Sequence, residues 1–375
     1  AGHYAGGLAP SQIWRKSKGT EFAWYVDSWN GRAVNTRPDH AKEHWLYLRL
    51  PSPLVQGTTY SLSTGTLAKN GSQFKFTFDA KKTRSETVHV NTVGYVPAAP
   101  QKYGYLYQWM GDGGSMDVAP LIGRTFQILD LQSGSSVYQG KVAMRAKADL
   151  QETYHISDSP PYGNFIKADV AECDFSELRS PGKYVLSVEG VGCSFPFEVG
   201  ADVYRTPFRE VARSLYHNRS GITLEKPYTE YERAAPHNPL KTPGFKGKLM
   251  YTSVRMQEWG GEGGNKEALQ KGFKGPLDAW GWYQDAGDWD SYVTHLRVAQ
   301  ELLLAYEMAP KNFRDGELNI PESGNGVPDL LDEAAWLPRF CFRLRKELFA
   351  KKYGTGGIGL RIAGDAFGGD GEGRP

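Results

Sequence analysis

Cysteine is scarce: the chain has three, Cys173, Cys193 and Cys341, with no CxxC pair among them. Their spacing matches no cysteine-built metal site. An excess of charge of either sign is also missing. Forty-four basic residues face 42 acidic ones, for a net charge of +2, which leaves no footprint for nucleic acid and no polybasic patch for a membrane surface. No apolar run approaches the length of a membrane span, and no secretory hydrophobic region is present. Internal repeats are absent. The Gly-rich "GGEGG" (260–264) lacks a following GK[ST] and a preceding apolar strand, so a phosphate-binding enzyme has little support.

What the chain does have is rings and turns. Aromatic residues make up 13% of its 375 residues, with 44 glycines and 22 prolines. Charge is too moderate for a disordered chain. Rings among turns suit β-rich modules and sugar-facing surfaces alike, although ordinary core packing accounts for most of them. The length predicts two or three domains. A first residue Ala1 rather than Met suits a processed secreted protein or a trimmed chain.

The hydrophobic period divides the chain into three. Residues 1–84 read as a β-rich module: "EFAWYV" and "HWLYLRL" are strand-like, and "SQFKFTFDA" alternates with Phe74, Phe76 and Phe78 on one face. Residues 85–200 carry short strands at regular spacing, including "TFQILDL", "GKYVLSVEG" and "SFPFEVG", as in a small sandwich. Cys173 and Cys193 fall in this module as either a disulfide or two separate buried thiols. From 201 to 375 the period lengthens. Pro207 opens a helix with Phe208, Val211, Ala212 and Leu215 on one face, and a second helix repeats Tyr292, Val293, Leu296, Ala299, Leu303 and Tyr306. A third, from about Pro328 to Phe349, aligns Leu330, Ala334, Leu337, Cys341, Leu344 and Leu348, with Pro338 expected to kink or split it. Strands followed by helices argue for separate domains, not an alternating α/β sheet.

The chemistry concentrates in "WYQDAGDWDSY" (282–292). Asp285 and Asp288 flank Ala286 and Gly287, where a tight turn feeds a helix. Two carboxylates this close can hold one water, one taking its proton while the other orients it. Trp282, Tyr283, Trp289 and Tyr292 could stack on the apolar C–H faces of sugar rings. The combination suits glycosidic bond hydrolysis. The competing reading is a helix cap, the commonest use of Asp at a helix start. In "NIPESGNGVPDLLDEAAW" (319–336), Gly324 and Gly326 turn the chain and Asp329, Asp332 and Glu333 occupy the helix's first turn. Oxygen ligands for a structural calcium are available, but the spacing matches no EF-hand loop, and a structural turn-to-helix element is the favoured reading.

Taken in order, "VHVNTVGYVPAAPQKYGYL" with "DFSELRSPGKYVLSVEGVGCSFPFEVG", then "GWYQDAGDWDSYVTHLRVAQELLLAYE", then "NIPESGNGVPDLLDEAAW" resemble glycoside hydrolase family 9 enzymes with an N-terminal immunoglobulin-like module. The resemblance spans about Glu86 to Trp336. It implies a multidomain fold of β-sandwich modules followed by an (α/α)6 barrel, incomplete here. It also implies inverting hydrolysis of β-linked, chiefly β-1,4, glucans. Asp288 aligns with the general base, and Asp285 with the second aspartate that helps bind the attacking water. A β-glucan or oligosaccharide is the implied partner, with no nucleic acid and no membrane span, and the setting is secreted, periplasmic or cell-surface.

Two departures stand out. The places where some relatives hold a structural zinc read Ser220, Pro236–His237 and Gln284, so zinc is not expected and no cofactor is required. The chain also ends at "GGDGEGRP", before the family's substrate-binding His and Arg and its general-acid Glu. Inversion needs both carboxyls, roughly 6.5–9.5 Å apart, and only the base side is recognisable. The expectation is a fragment of a longer enzyme whose part-barrel exposes apolar helix faces. The alternative is a non-catalytic carbohydrate-binding or cell-surface structural protein.

Overall fold

The computed structural model describes residues 7–20, 24–29, 33–38, 42–67, 69, 71–150, 166–236, 238, 241, 249–252, 273–277, 280–284 and 295–352. Side chains are described at all of these except 24–29, 33–38, 249–252 and 273–277. The chain divides into two compact units, 1–204 and 205–375.

The first unit opens with nested ribbons. Strand β1 (Gln12–Gly19) pairs antiparallel with β4 (Lys42–Arg49), and β2 (Trp24–Trp29) pairs with β3 (Ala33–Pro38) between them. A further hairpin joins β5 (Thr59–Ser63) to β6 (Gln73–Thr77). The alternation read at Phe74, Phe76 and Phe78 is present, but only Phe78 is buried; Phe74 and Phe76 stay about two-fifths exposed. Phe76 stacks on the Tyr60 ring, 5.7 Å away, and an isolated two-stranded ribbon leaves such a face partly open.

The sandwich follows: β7 (Val88–His89), β8 (Tyr103–Leu106), β9 (Thr125–Asp130), β10 (Ser136–Ala146), β11 (Val170–Asp174), β12 (Gly182–Val188), β13 (Gly192–Cys193) and β14 (Phe197–Val199). All neighbouring strands are antiparallel, in the order β13-β12-β9-β10-β11-β8-β7, with β14 on β12. The long strand β10 makes the corner. Its first half pairs with β9 and its second half, from Val142, with β11. Inward residues alternate along each strand, and Leu106, Phe126, Ile128, Val142, Ala171, Cys173, Leu186 and Val199 form one core. Cys173 and Cys193 are both free and buried in separate apolar clusters, so the two-thiol reading holds. Burial pushes the Cys173 thiol up to about 12.

The second unit begins with α1 (Arg205–Asn218), followed by the antiparallel pair β15 (Leu249–Thr252) and β16 (Phe273–Leu277), then α2 (Leu296–Met308) and α3 (Asp329–Ala350). The helix faces sit slightly rotated from the periodic reading. On α1, Ala212 and Tyr216 are buried while Val211 is 71% exposed. On α2, Ala299 is buried and Leu303 exposed, with Leu302 turned further inward. On α3, Phe340 takes the core position expected for Cys341. An apolar stripe three to four residues wide leaves its centre ambiguous by one position, and the packing partners decide it. Pro338 lies within α3 without ending it. Met308, Phe342 and Phe349 are also largely exposed. No described helix is long and apolar enough to cross a membrane.

Candidate functional site

The segment entering the carboxylate motif is held by main-chain pairing with the residues just after α1. The Ser220 amide donates to the Trp282 carbonyl at 2.8 Å, and the Gln284 amide to the Asn218 carbonyl at 2.8 Å. Arg219 and Tyr283 thereby form an isolated bridge. Gly221 completes the turn with φ +83°, where any Cβ would stand 2.7 Å from the Trp280 ring.

Beneath this pairing lies a buried charged cluster. Arg219, 1% exposed, donates to Glu322 at 2.9 and 3.0 Å and to Glu333 at 2.9 Å. Its guanidinium stacks on the Trp336 ring, 4.3 Å from the centroid. The Tyr283 hydroxyl donates to Glu333 at 2.5 Å. Burial alone disfavours the Arg219 cation, but Glu333 and Glu322 outweigh it and hold its pKa above the ordinary arginine value. Burial pushes the Glu333 carboxyl up, against the pull of Arg219 and the tyrosine hydroxyl. The Tyr283 phenol is driven up by burial and by the carboxylate it serves. One arginine thus joins the turn after α1, the loop before α3, α3 itself and the segment that leads into the motif.

A second arginine locks the same segment from the other side. Arg233 donates to Gln284 Oε1 at 2.8 Å and to the Arg219 carbonyl at 2.8 Å. Gly221 and Asn238 add bonds to and from the 236–238 stretch. Gln284 and Ser220 occupy two of the zinc positions, and these residues do not fit the metal. Gln284 already accepts from a guanidinium, whose charge would repel Zn²⁺, and neither side chain is a thiolate or imidazole. His237 lies outside the described residues.

The acidic loop before α3 is likewise self-contained. Both oxygens of Asp315 accept backbone N–H groups, from Gly324 at 2.6 Å and Gly326 at 2.7 Å. Asp329 accepts from Gly316, Leu318 and the Ser323 hydroxyl. Asn325 donates to Asp332 at 2.9 Å. These carboxylates face N–H and O–H donors, which is a poor fit for calcium. Among the described residues no three acidic, histidine or cysteine side chains group as metal ligands.

Asp285, Asp288, Trp289 and Tyr292 lie outside the described residues. Trp282 and Tyr283 are described, and their expected stacking on a sugar is corrected. Trp282 is fully buried against Phe340, with ring centroids 5.4 Å apart, and Tyr283 is 5% exposed. Both neighbouring rings pack in one apolar cluster with Leu337, Phe340 and Leu344 of α3, so neither is exposed as a platform. Arg219, Arg233, Glu322 and Glu333 were not singled out by sequence reasoning for this role. Glu333 read as a helix-start acid, and Arg219 stood unremarked beside Ser220. A buried Arg between two Glu more than 100 positions away has no local signature.

Residues 83–193 match the cellulase N-terminal immunoglobulin-like domain, so the sandwich is a module of cellulase type. The chain is 31% identical over 274 residues to a cellulose 1,4-beta-cellobiosidase of Acetivibrio thermocellus, covering 69% of this chain and 27% of that protein. It is 26% identical over 252 residues to a xyloglucan-specific endo-beta-1,4-glucanase of Bacteroides ovatus, covering 66% of this chain and 35% of that one. Among solved structures, a metagenome-derived glycoside hydrolase family 9 endoglucanase matches with 32% identity and a TM-score of 0.50, over 68% of this chain and 40% of the other. The chain is a relative of the family 9 glycoside hydrolases, and it spans roughly a quarter to a third of the length of these two curated relatives.

Proposed function

We propose that the chain belongs to an inverting glycoside hydrolase acting on β-linked glucans, β-1,4 linkages foremost, and that it carries the catalytic-base side of the site. Asp288 takes the proton of the attacking water and Asp285 orients that water, while Trp289 and Tyr292 border the sugar. The observation that carries this reading is the joint similarity to a cellobiosidase and to a family 9 endoglucanase over some two thirds of the chain. The two-sided anchoring of Trp282–Gln284 by Arg219 and Arg233 supports it, because a water-activating pair needs a fixed approach of the backbone. A secreted, periplasmic or cell-surface setting accords with a glucan or oligosaccharide substrate.

The test is the Asp288→Asn variant of the natural protein, assayed on cello- and xyloglucan oligosaccharides. Turnover should fall roughly 10²–10⁴-fold with oligosaccharide binding retained. Proton NMR of the fresh product should show the inverted, α-configured anomer. Near-normal turnover in Asp288→Asn would remove Asp288 from its role, and a β-configured first product would overturn inversion.

A further inference from the structure

The immunoglobulin-like unit carries a second candidate site of its own. A groove of about 580 Å³ runs between the edge strand β7, the β8 end and the N-terminal ribbon, within the size range of small-molecule sites (~300–1,000 Å³). Two large apolar rings border it in the open. Trp109 is 40% and Phe195 51% exposed. One wall is the His89–Tyr107 pair, stacked with centroids 4.0 Å apart and planes 14° from parallel. The His89 Nε2–H donates to the Tyr107 carbonyl at 3.1 Å, which fixes the ring's orientation.

The frame around these rings is rigid. The Arg15 amide donates to Asp112 at 2.6 Å, and Gln108 donates to the Tyr47 hydroxyl at 2.8 Å. Gly113 lies so close under the Trp14 ring that a Cβ there would stand 2.5 Å from it. The ribbon and the loop that carries Trp109 are therefore clamped together, and the groove needs no ordering before it binds.

Its charges are already engaged. The Lys16 ammonium sits 4.9 Å from the Trp45 centroid. The Arg84 guanidinium lies 4.3 Å from the Phe195 centroid and 4.0 Å from Glu86. Such a surface offers aromatic faces with hydrogen-bonding groups between them and little free charge of either sign. That is a poor match to an anion and a good match to a neutral polyol with apolar C–H faces.

We propose that this groove binds a neutral β-linked gluco-oligosaccharide, as a site separate from the carboxylate pair, with Trp109 and Phe195 as its stacking platforms. The choice of sugar rests on the functional reading above; the site itself rests on the groove. The test is titration of the natural protein with cellohexaose and with a xyloglucan oligosaccharide, by calorimetry, in four forms: wild type, Trp109→Ala, Phe195→Ser and Asp288→Asn. Circular dichroism checks that each variant is folded, and Phe195→Ser is a mild change at an exposed ring. Each groove variant should weaken binding roughly tenfold, Asp288→Asn should leave the groove's binding intact, and raising the salt should change little. Unchanged affinity in both folded groove variants would overturn the site while leaving the hydrolase reading standing. Absence of binding by the wild type, or binding abolished by salt, would also overturn it. Groove binding without any turnover would refute the hydrolase reading alone.

Discussion

The sandwich and the helical region anchor their chains by different means. The sandwich is centred on a continuous apolar core in which Leu106, Phe126, Ile128 and Leu186 are fully buried. The helical region has smaller apolar clusters and places Arg219, Glu333 and Asp332 at about 1% exposure in their midst. An apolar core accepts volume-conserving swaps at modest cost, because its attraction is not directional. A buried arginine held by two carboxylates tolerates only one geometry, and leaves a costly charge behind if either side is removed. The difference matches what each holds: the sandwich rests its strands on a close-packed apolar layer, and the helical region fixes one short segment, Trp282–Gln284, by charge.

Breaking the charged cluster should have the largest effect. Arg219→Met leaves Glu333 buried without its cation and should lower the stability of the helical region by about 3–5 kcal/mol. Calorimetry with both units present should show that region's transition moving while the sandwich transition stays put. The double change Arg219→Met with Glu333→Leu should recover a good part of the loss, because the unpaired buried charge is gone. Failure to recover would mean that the Glu333 bond to Tyr283, rather than the charge pair, dominates.

The counterpart in the sandwich is Leu186→Ala, which removes a fully buried side chain and should cost about 2–5 kcal/mol in the other transition only. A smaller effect comes next. Arg233→Ala strips the donors from Gln284 and from the Arg219 carbonyl, and should cost about 1–3 kcal/mol in the helical region. Hydrogen exchange at the Gln284 and Ser220 amides should speed up, which a purely surface arginine would not cause.

The smallest effect is one of pH. The same device operates in both units: the Gln56 amide and the Lys81 backbone N–H donate to Asp79, the Gly324 and Gly326 backbone N–H groups donate to Asp315, and each carboxyl is held below the ordinary aspartate value of 3.8. A depressed folded value means the stabilisation is present above the unfolded pKa and is lost as pH falls through the folded one. The amide resonances of Gly324 and Gly326 should therefore stay fixed down to the ordinary aspartate range and shift only below it. Asp315→Asn should remove that acid transition while leaving the fold intact at neutral pH.

Much of this was legible in the chain itself. Short alternating runs marked the strands β9, β12 and β14, and the change of period after Gly200 falls close to the division at Tyr204. The order of the motif segments points to the family by itself. The site was read less well. "WYQDAGD" shows its carboxylates, but the role of its rings is ambiguous, since an aromatic beside an aspartate looks the same in sequence whether it faces a ligand or a helix. Trp282 and Tyr283 face α3, and only the packing reveals that.

The sequence by itself determined the modular order, the strand and helix periods, and the family to which the chain is related, because these reside in local spacing and segment order. The tertiary structure alone decided which charges meet. Arg219 joins Glu322 and Glu333 across more than 100 residues, and Arg233 reaches Gln284 across 51. Such contacts follow from how distant segments are brought together, and a side chain carries no local mark of the partner that will neutralise it.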